Sequence, residues 1–502
     1  MQSLHPADAA VLLGYVAVVL GLGWWAQRRQ ADQTDFFLGG RRLPWPLVGV
    51  SILATAFSAT SLLGGPGEAI SFGLLWLQLQ LGDLLAILIV VTVFVPALRG
   101  RALTTAYEFL EERFDRRVRV LASVLFQLQV VLRAGVLVYG PALALSTLTG
   151  LSLPVTIVAV GTLATLYTVS GGLEAVVWTD ALQLGVVAVG LGACLWTVAA
   201  TLDGGLGAAF AAAAADGKTA VVDFDQPLTS PRSLPGAVVG YGILALAVAG
   251  TNQQSVQRYL ACRSVGEARR AALLGWAVGA AVTVATLVVG LALYGFYRST
   301  AHTLPADLPA DAVLPHFVGN ELAPGVAGLL VAAILAAAMS SLDSALSSLA
   351  TATEVDLIGC DGDRARDLRR ARLVTLGWGV VATVAALALA GRGTLLALGV
   401  RVMGWFAGPV LALFVMALMR RSPSARSALA GAVTGFAVTV VLVADPFGAP
   451  ILSPGIWTTA IGAITTLLAT ALLETTVGSP RRVPADTTTL APGSRREDPR
   501  DD

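Results

Sequence analysis

Apolar runs long enough to cross a membrane recur along nearly the whole chain, and no other feature constrains its fold so tightly. Thirteen such stretches are legible, at residues 8–27, 45–64, 73–97, 120–148, 153–170, 176–200, 235–255, 271–297, 323–352, 373–391, 395–419, 426–443 and 455–474. A helix needs about 20 mostly apolar residues to cross ~30 Å of hydrocarbon, where every backbone group must find its partner inside the segment. Only 13% of the 502 residues are charged, about half the proportion usual in a soluble domain. The chain therefore reads as an all-α membrane protein with 13 transmembrane helices. The first stretch opens on Asp8 without a basic leader and stops at Trp24, Trp25, Arg28 and Arg29. That pattern marks a span ending at the interface rather than a cleavable signal. A net charge of +1 argues against electrostatic binding of nucleic acid. Cys194, Cys262 and Cys360 offer neither a paired framework nor metal-ligand spacing.

Basic residues set the orientation. With the N-terminus outside, the inside segments hold 27 arginines, and the outside segments hold only Lys218, Arg232, Arg298 and Arg392. So large a bias puts the N-terminus outside and the C-terminus in the cytoplasm. One missed span would scramble it. The same count assigns Arg258, with Arg263, Arg269 and Arg270, to a cytoplasmic loop. The long outer loops, 201–234 and 298–322, read as connectors more readily than as ordered lids. The tail from about residue 475 is polar and broken by proline, and it reads as disordered.

Irregular backbone within a membrane belongs beside a cavity, and two spans look interrupted. Span 2 carries small and hydroxylated residues from Ser51 to Ser61, and Gly64-Gly65-Pro66-Gly67 breaks its outer end. Span 7 carries Ala249-Gly-Thr-Asn-Gln-Gln254 where a clean span would continue. Five spans apart, the two run in opposite directions, which points to an inverted-repeat transporter with a midplane site. Gly and Ser that merely allow close helix packing explain the composition equally well. Both readings stand at this point.

Span 9 adds a stripe. Ala337, Ser340, Ser341 and Ser344 fall at i, i+3, i+4 and i+7, with Ser347 and Ser348 continuing it and Asp343 on its edge. An intramembrane carboxylate costs about 2.5–3.5 kcal/mol and usually faces a cavity or a partner. Serines alone would back-bond to their own helix; a hydroxyl stripe bearing a carboxylate resists that account. Hard cations such as Na⁺ prefer oxygen ligands, and broken-helix carbonyls with serine hydroxyls supply them without a permanent charge. From position alone, Asp180 at the start of span 6 reads as a helix-capping aspartate. The remaining charges within the spans are Asp83, Arg133 and Arg401. Each reads as part of a packed ion pair, and for Arg133 and Arg401 that reading is at least as good as one that has them face an anionic substrate. His5, His302 and His316 all lie outside the spans, so no histidine relay crosses the membrane.

Four stretches, in order, resemble the solute:sodium symporter family. They are Asp35-Phe-Phe-Leu-Gly-Gly-Arg-Arg-Leu-Pro-Trp45, Tyr167-Thr-Val-Ser-Gly-Gly-Leu-Glu-Ala-Val-Val-Trp-Thr-Asp-Ala-Leu-Gln183, Thr251-Asn-Gln-Gln-Ser-Val-Gln-Arg-Tyr-Leu-Ala-Cys-Arg263 and Ala336-Ala-Ala-Met-Ser-Ser-Leu-Asp-Ser-Ala-Leu-Ser-Ser348. The resemblance implies a leucine-transporter-like five-plus-five inverted repeat with broken core helices. Residues 1–44 are then an extra helix and cytoplasmic loop, 45–200 the first repeat, 201–234 an outer loop and 235–419 the second repeat. Residues 420–474 add two helices, and 475–502 form the tail. A core sodium site is implied at the backbone carbonyls of Ala54, Phe57 and Ala337 and the hydroxyls of Ser340 and Ser341. A second sodium site, present in some members, maps to Asp180, Ser340 and Ser344, with Asp343 standing in place of one family hydroxyl. This reverses the capping reading of Asp180. Solute-binding positions map to Ser61, Gln80 and Asn252, with Gln253 beside the last.

The implied function is sodium-coupled import of a small organic solute across the plasma membrane by alternating access. The Gln257-Arg-Tyr-Leu-Ala-Cys-Arg263 stretch is closer to the iodide, vitamin and monocarboxylate branch, so an organic anion is expected ahead of a sugar or polyol. Proton coupling through Asp180 or Asp343 is the alternative. Expected partners are the solute, sodium and membrane lipid, with no nucleic acid and no obligate protein partner. An enzyme is not expected: the spans hold no His/Glu/Cys cluster and the cytosolic segments no phosphate-binding loop.

Overall fold

A computed structural model describes residues 5–444 and 455–477, apart from 229, 300–303, 306–307, 360–362 and 390–394. The tail beyond Val477 lies outside the described residues. Every regular element among them is helical. Nine helices among the described residues are long and apolar enough to cross a membrane. The elements that build the core are α1 (Pro6–Gln27), α2 (Trp45–Ala56), α3 (Ala59–Phe72), α4 (Leu79–Ile89), α5 (Arg116–Thr149) and α6 (Leu153–Thr201). They continue with α7 (Gly242–Thr251), α8 (Gln253–Ala261), α9 (Val265–Ser299), α10 (Val326–Ala352), α11 (Arg364–Leu389), α12 (Leu395–Leu418), α13 (Ala425–Ala444) and α14 (Thr458–Val477).

The 49 residues of α6 would make a rod of about 74 Å at 1.5 Å per residue, more than twice the hydrocarbon thickness. Gly172 resolves this. Its φ of 54° and ψ of −155° are non-helical and break the run partway, so two membrane-length segments share one run. A side chain there would need an unfavourable positive φ, and its Cβ would lie 2.5 Å from the Phe36 carbonyl oxygen.

Burial sorts the helices into a centre and a lipid-facing shell. Every residue of α10 from Leu330 to Ala352 is buried, the signature of a helix enclosed on all sides. It packs against α6, α5, α1, α11, α3 and α2. Asp8 of α1 fixes its start, with Oδ1 accepting from the backbone N–H groups of Gly325 (2.6 Å) and Gly328 (2.7 Å). That places a negative charge at a helix N-terminus, where the helix dipole favours it. On the periphery Leu85, Val189, Trp196, Val384 and Leu472 are exposed, which only a hydrocarbon surrounding makes favourable.

Two local expectations change. Residues 64–67 do not break the chain: α3 runs through them from Ala59 to Phe72 with Pro66 inside. Gly65 serves packing instead, since a Cβ there would meet Thr286 Oγ1 at 2.7 Å. The interruption falls earlier, at Phe57 and Ser58, both extended with ψ of 115° and 173°. The long connectors at 201–234 and 298–322 are also more ordered than plain loops. One carries the helix Gly205–Ala215 against α9, the other Val313–Glu321 against α3.

Candidate functional site

The break between α2 and α3 leaves peptide groups without helical partners. An α-helix ends with four unsatisfied carbonyls, and those of α2 belong to its last turn and Phe57. The intrahelical ladder stops where the Phe57 N–H donates to the Leu53 carbonyl, and resumes with Ser61 and Leu62 donating to the Ser58 carbonyl. Ala54 sits in this last turn and is buried. From α10 the Ser341 hydroxyl reaches across and donates to the carbonyls of Phe57 (3.2 Å) and Thr55 (3.3 Å). Ser340 donates to Ala337 O at 3.0 Å within the same helix. Released carbonyls thus meet the serine stripe in a buried, neutral, oxygen-rich cleft. Such a ligand set suits an alkali cation that must be released each cycle.

One turn deeper lies a charged cluster that the arginine count misassigned. Arg258 is not in a cytoplasmic loop: it lies on α8 and is 0% exposed. Its Nε donates to Ser51 Oγ (2.7 Å), Nη1 to the Gln254 carbonyl (2.8 Å), and Nη2 to Ser344 Oγ (2.6 Å) and Asp180 Oδ2 (3.3 Å). Ser51 in turn donates to Asp180 Oδ2 at 2.5 Å. One guanidinium therefore joins α2, α6, α8 and α10, and it occupies two groups, Asp180 and Ser344, assigned by resemblance to a second sodium site. Charge counting missed it because it treats every arginine beyond an apolar run as interfacial. A signal was present in α2, where Ser51 and Thr55 at i, i+4 put two hydroxyls on one face.

Asp343 has a different surrounding. At 100° per residue it lies about 160° around α10 from Ser341, away from the α2 break. Its carboxylate faces the Tyr167 hydroxyl, while Asp180 Oδ1 and Gln183 Oε1, both buried, have no hydrogen-bond partner among the described residues. Tyr167, Asp180 and Arg258 all interact electrostatically with it. Carboxylate, phenol and amide oxygens thus gather on the α1/α6 side of α10. Tyr15 is beside them, its hydroxyl accepting from Gln183 Nε2 at 3.2 Å.

The solute positions separate. Ser61 is exposed on the first turn of α3, and Gln80 is half-buried on α4. Asn252 breaks the chain between α7 and α8 with φ −76° and ψ 130°, and its Oδ1 caps α8 by accepting from the Gln254 N–H at 2.9 Å. It also lines a small cavity with Gln129, Phe126 and Thr251. Gln253 is corrected out of this set. It is fully buried, its Oε1 accepting from the Ala106 N–H (2.7 Å) and its Nε2 donating to the Thr104 carbonyl (3.1 Å). Neighbours on a helix point about 100° apart, so Gln253 clamps the 104–106 loop while Asn252 faces the cavity. Arg133 stands one turn beyond Gln129 on the same face of α5, half-buried, and no described residue pairs with it. Asp83 is not its partner, since that carboxylate accepts from the Tyr241 hydroxyl at 3.3 Å. The Arg401 side chain lies outside the described residues.

Comparison with known proteins agrees with this architecture. Residues 36–435 match the sodium:solute symporter family. The human sodium/iodide cotransporter is 31% identical over 97% of this chain and 77% of its own length. Human sodium-coupled monocarboxylate transporter 1 is 30% identical over 86% of this chain and 72% of its own. A solved Na⁺-coupled sialic acid symporter, in a substrate-bound outward-open state, superposes with a TM-score of 0.86 at 28% identity, covering 95% of this chain and 99% of that one. The chain belongs to the sodium:solute symporter family: it is a multi-pass membrane transporter that couples solute movement to sodium, not an enzyme.

Proposed function

We propose that the protein imports a small organic anion, of the monocarboxylate kind, together with sodium. The observation that carries this reading is Arg133, a guanidinium within a span, one turn from the cavity at Asn252 and without a counter-ion among the described residues. Charged side chains in membrane interiors usually have partners or face a pathway, and a carboxylate solute supplies the missing charge. Iodide, monocarboxylate and sialic acid, named for the relatives above, are all anions. Ser61, Gln80 and Asn252 would hold the rest of the solute between the two breaks. Sodium sits at Ala54, Phe57, Ala337, Ser340 and Ser341, drawing α10 against the α2 break in the outward-facing arrangement. Thirteen spans in a five-plus-five inverted repeat then rock about the site, in the plasma membrane, with the N-terminus outside and the C-terminus in the cytoplasm.

Uptake of radiolabelled carboxylates and polyols into proteoliposomes tests this. A sodium gradient should drive carboxylate uptake, and Arg133→Gln should raise its KM about 10- to 100-fold, since a charge-assisted hydrogen bond contributes about 1.5–3 kcal/mol. Sodium dependence should survive the change. Sodium-driven polyol uptake that ignores Arg133→Gln would favour the sugar reading, and uptake driven by a pH gradient without sodium would overturn sodium coupling.

The oxygens gathered around Asp343 favour a second cation there, with Asp180 Oδ1 as a further ligand. Arg258 holds Ser344 and the other Asp180 oxygen. The consequence is energetic. One sodium with a monoanion carries no net charge and draws only on the concentration gradient, about 1.4 kcal/mol per tenfold. A second sodium makes the cycle electrogenic and adds about 2.3 kcal/mol per 100 mV. Asp343→Asn should therefore lower the Hill coefficient for sodium toward one and remove the effect of membrane potential. Wild-type uptake indifferent to potential would sink the second ion.

A further inference from the structure

The strongly basic side of the molecule spends most of its arginines internally. Arg29, Arg101, Arg119 and Arg370 pair with acidic residues, and Arg99 and Arg113 donate to backbone carbonyls. Arg116 and Arg117 do neither. Both are exposed in the first turn of α5, and no described acid pairs with either. The adjacent Asp115 is engaged elsewhere: its Oδ1 caps α5, accepting from the N–H groups of Arg117 (2.9 Å) and Val118 (3.1 Å).

Beneath the two guanidiniums the same helix face continues: Val120 and Val124 follow Arg116 at i+4 and i+8, and Leu121 follows Arg117 at i+4, spacings that keep side chains in register. Leu429 of α13 forms the opposite wall, and the groove between the two helices measures about 730 Å³. Arg426, exposed and also without an acid partner, lies nearly one turn before Leu429 on α13. Arg113 ties the adjoining turn to the start of α5 through the carbonyls of Ala417 and Met419. That turn presents Arg420 and Arg421 to solvent. Unneutralised guanidiniums therefore gather at the mouth of an aliphatic trough.

We propose that the groove between α5 and α13 binds an anionic phospholipid, its phosphate held by Arg116 and Arg117 and an acyl chain lying along Val120, Val124 and Leu429. Guanidinium recognises phosphate through paired, planar donors, and basic pockets between helices at the headgroup level suit acidic lipids. Orientation of the chain in the membrane needs only positive charge on one side; it needs neither a groove nor a choice of headgroup. In the orientation proposed above, this lipid belongs to the cytoplasmic leaflet. The site depends on neither the transported solute nor the coupling ion, so its test is separate from theirs.

The test uses the purified full chain in detergent, titrated with phosphatidylglycerol or phosphatidylcholine and read by native mass spectrometry and thermal melting. Phosphatidylglycerol should remain as discrete adducts and raise the melting temperature, and phosphatidylcholine should do neither. The double variant R116Q/R117Q should weaken adduct formation tenfold or more. Leu429→Trp, which fills the trough and keeps every charge, should weaken it likewise. R364Q/R366Q, at an exposed basic pair on α11, should leave it unchanged. The proposal is overturned by equal retention of phosphatidylcholine, by adducts that persist in R116Q/R117Q or Leu429→Trp, or by equal loss in R364Q/R366Q. Displacement of the lipid by glycerol phosphate at matching concentration would reassign the site to a free phosphate and overturn it as well.

Discussion

Replacing Ser341 with alanine is expected to raise the sodium concentration for half-maximal uptake about 10- to 100-fold while leaving solute affinity at saturating sodium nearly unchanged. Among the described residues the Ser341 hydroxyl is the side-chain oxygen that reaches from α10 to the carbonyls released at the end of α2. Losing one oxygen contact to a charged ion costs about 1.5–3 kcal/mol, and each 1.4 kcal/mol is about tenfold in affinity. Alanine is the better helix former and removes a single atom from a helix packed on all sides, so the fold should persist. Sodium titration of radiolabelled uptake, paired with solute titration at saturating sodium, separates the two affinities. Equal loss of both in a normally folded variant would remove Ser341 from the ion site.

Arg258→Ala should be more damaging still, and damaging in stability rather than affinity. Removing one partner of a buried ion pair typically costs 3–5 kcal/mol, because the other charge is stranded. Here Asp180 would lose its guanidinium while Ser51, Ser344 and the Gln254 carbonyl lose a donor. Since a folded domain is stable by only about 5–15 kcal/mol, the variant should show a sharply lowered melting temperature by fluorescence-detected size exclusion. Arg258→Lys should not rescue it, since one ammonium lacks the planar fork that serves three helices besides its own. Neutralising both partners, as R258Q/D180N, should recover most of the loss. A stable Arg258→Ala protein would show that the pair contributes little to holding the four helices together.

Several residues of the proposed site were legible because their signal is local. The serine stripe of α10 follows from helical spacing alone, and the polar run at residues 249–254 marks a position where apolar helix cannot continue. The neighbouring run at 64–67 misled. Its glycines and proline have the composition of a break, yet Thr286 packs closely against Gly65 and the chain stays helical. Composition alone does not distinguish a glycine that opens a helix from one that admits a neighbour. Gln253 and Asn252 show the same limit at one-residue scale, since their opposite assignments depend on which way α8 rotates as it restarts.

Hydrophobic periodicity and the serine spacing, both set by bonds between near neighbours in the chain, were enough to establish a helical, membrane-spanning protein and to mark the rod that carries the hydroxyls proposed for the ion site. The destinations of its charges were settled only when distant segments met. Arg258 and Asp180 are 78 positions apart, and nothing in the order of residues between them says that a guanidinium will turn inward rather than toward water. That choice depends on whether a carboxylate and three further oxygens await it, and only the packed bundle supplies them.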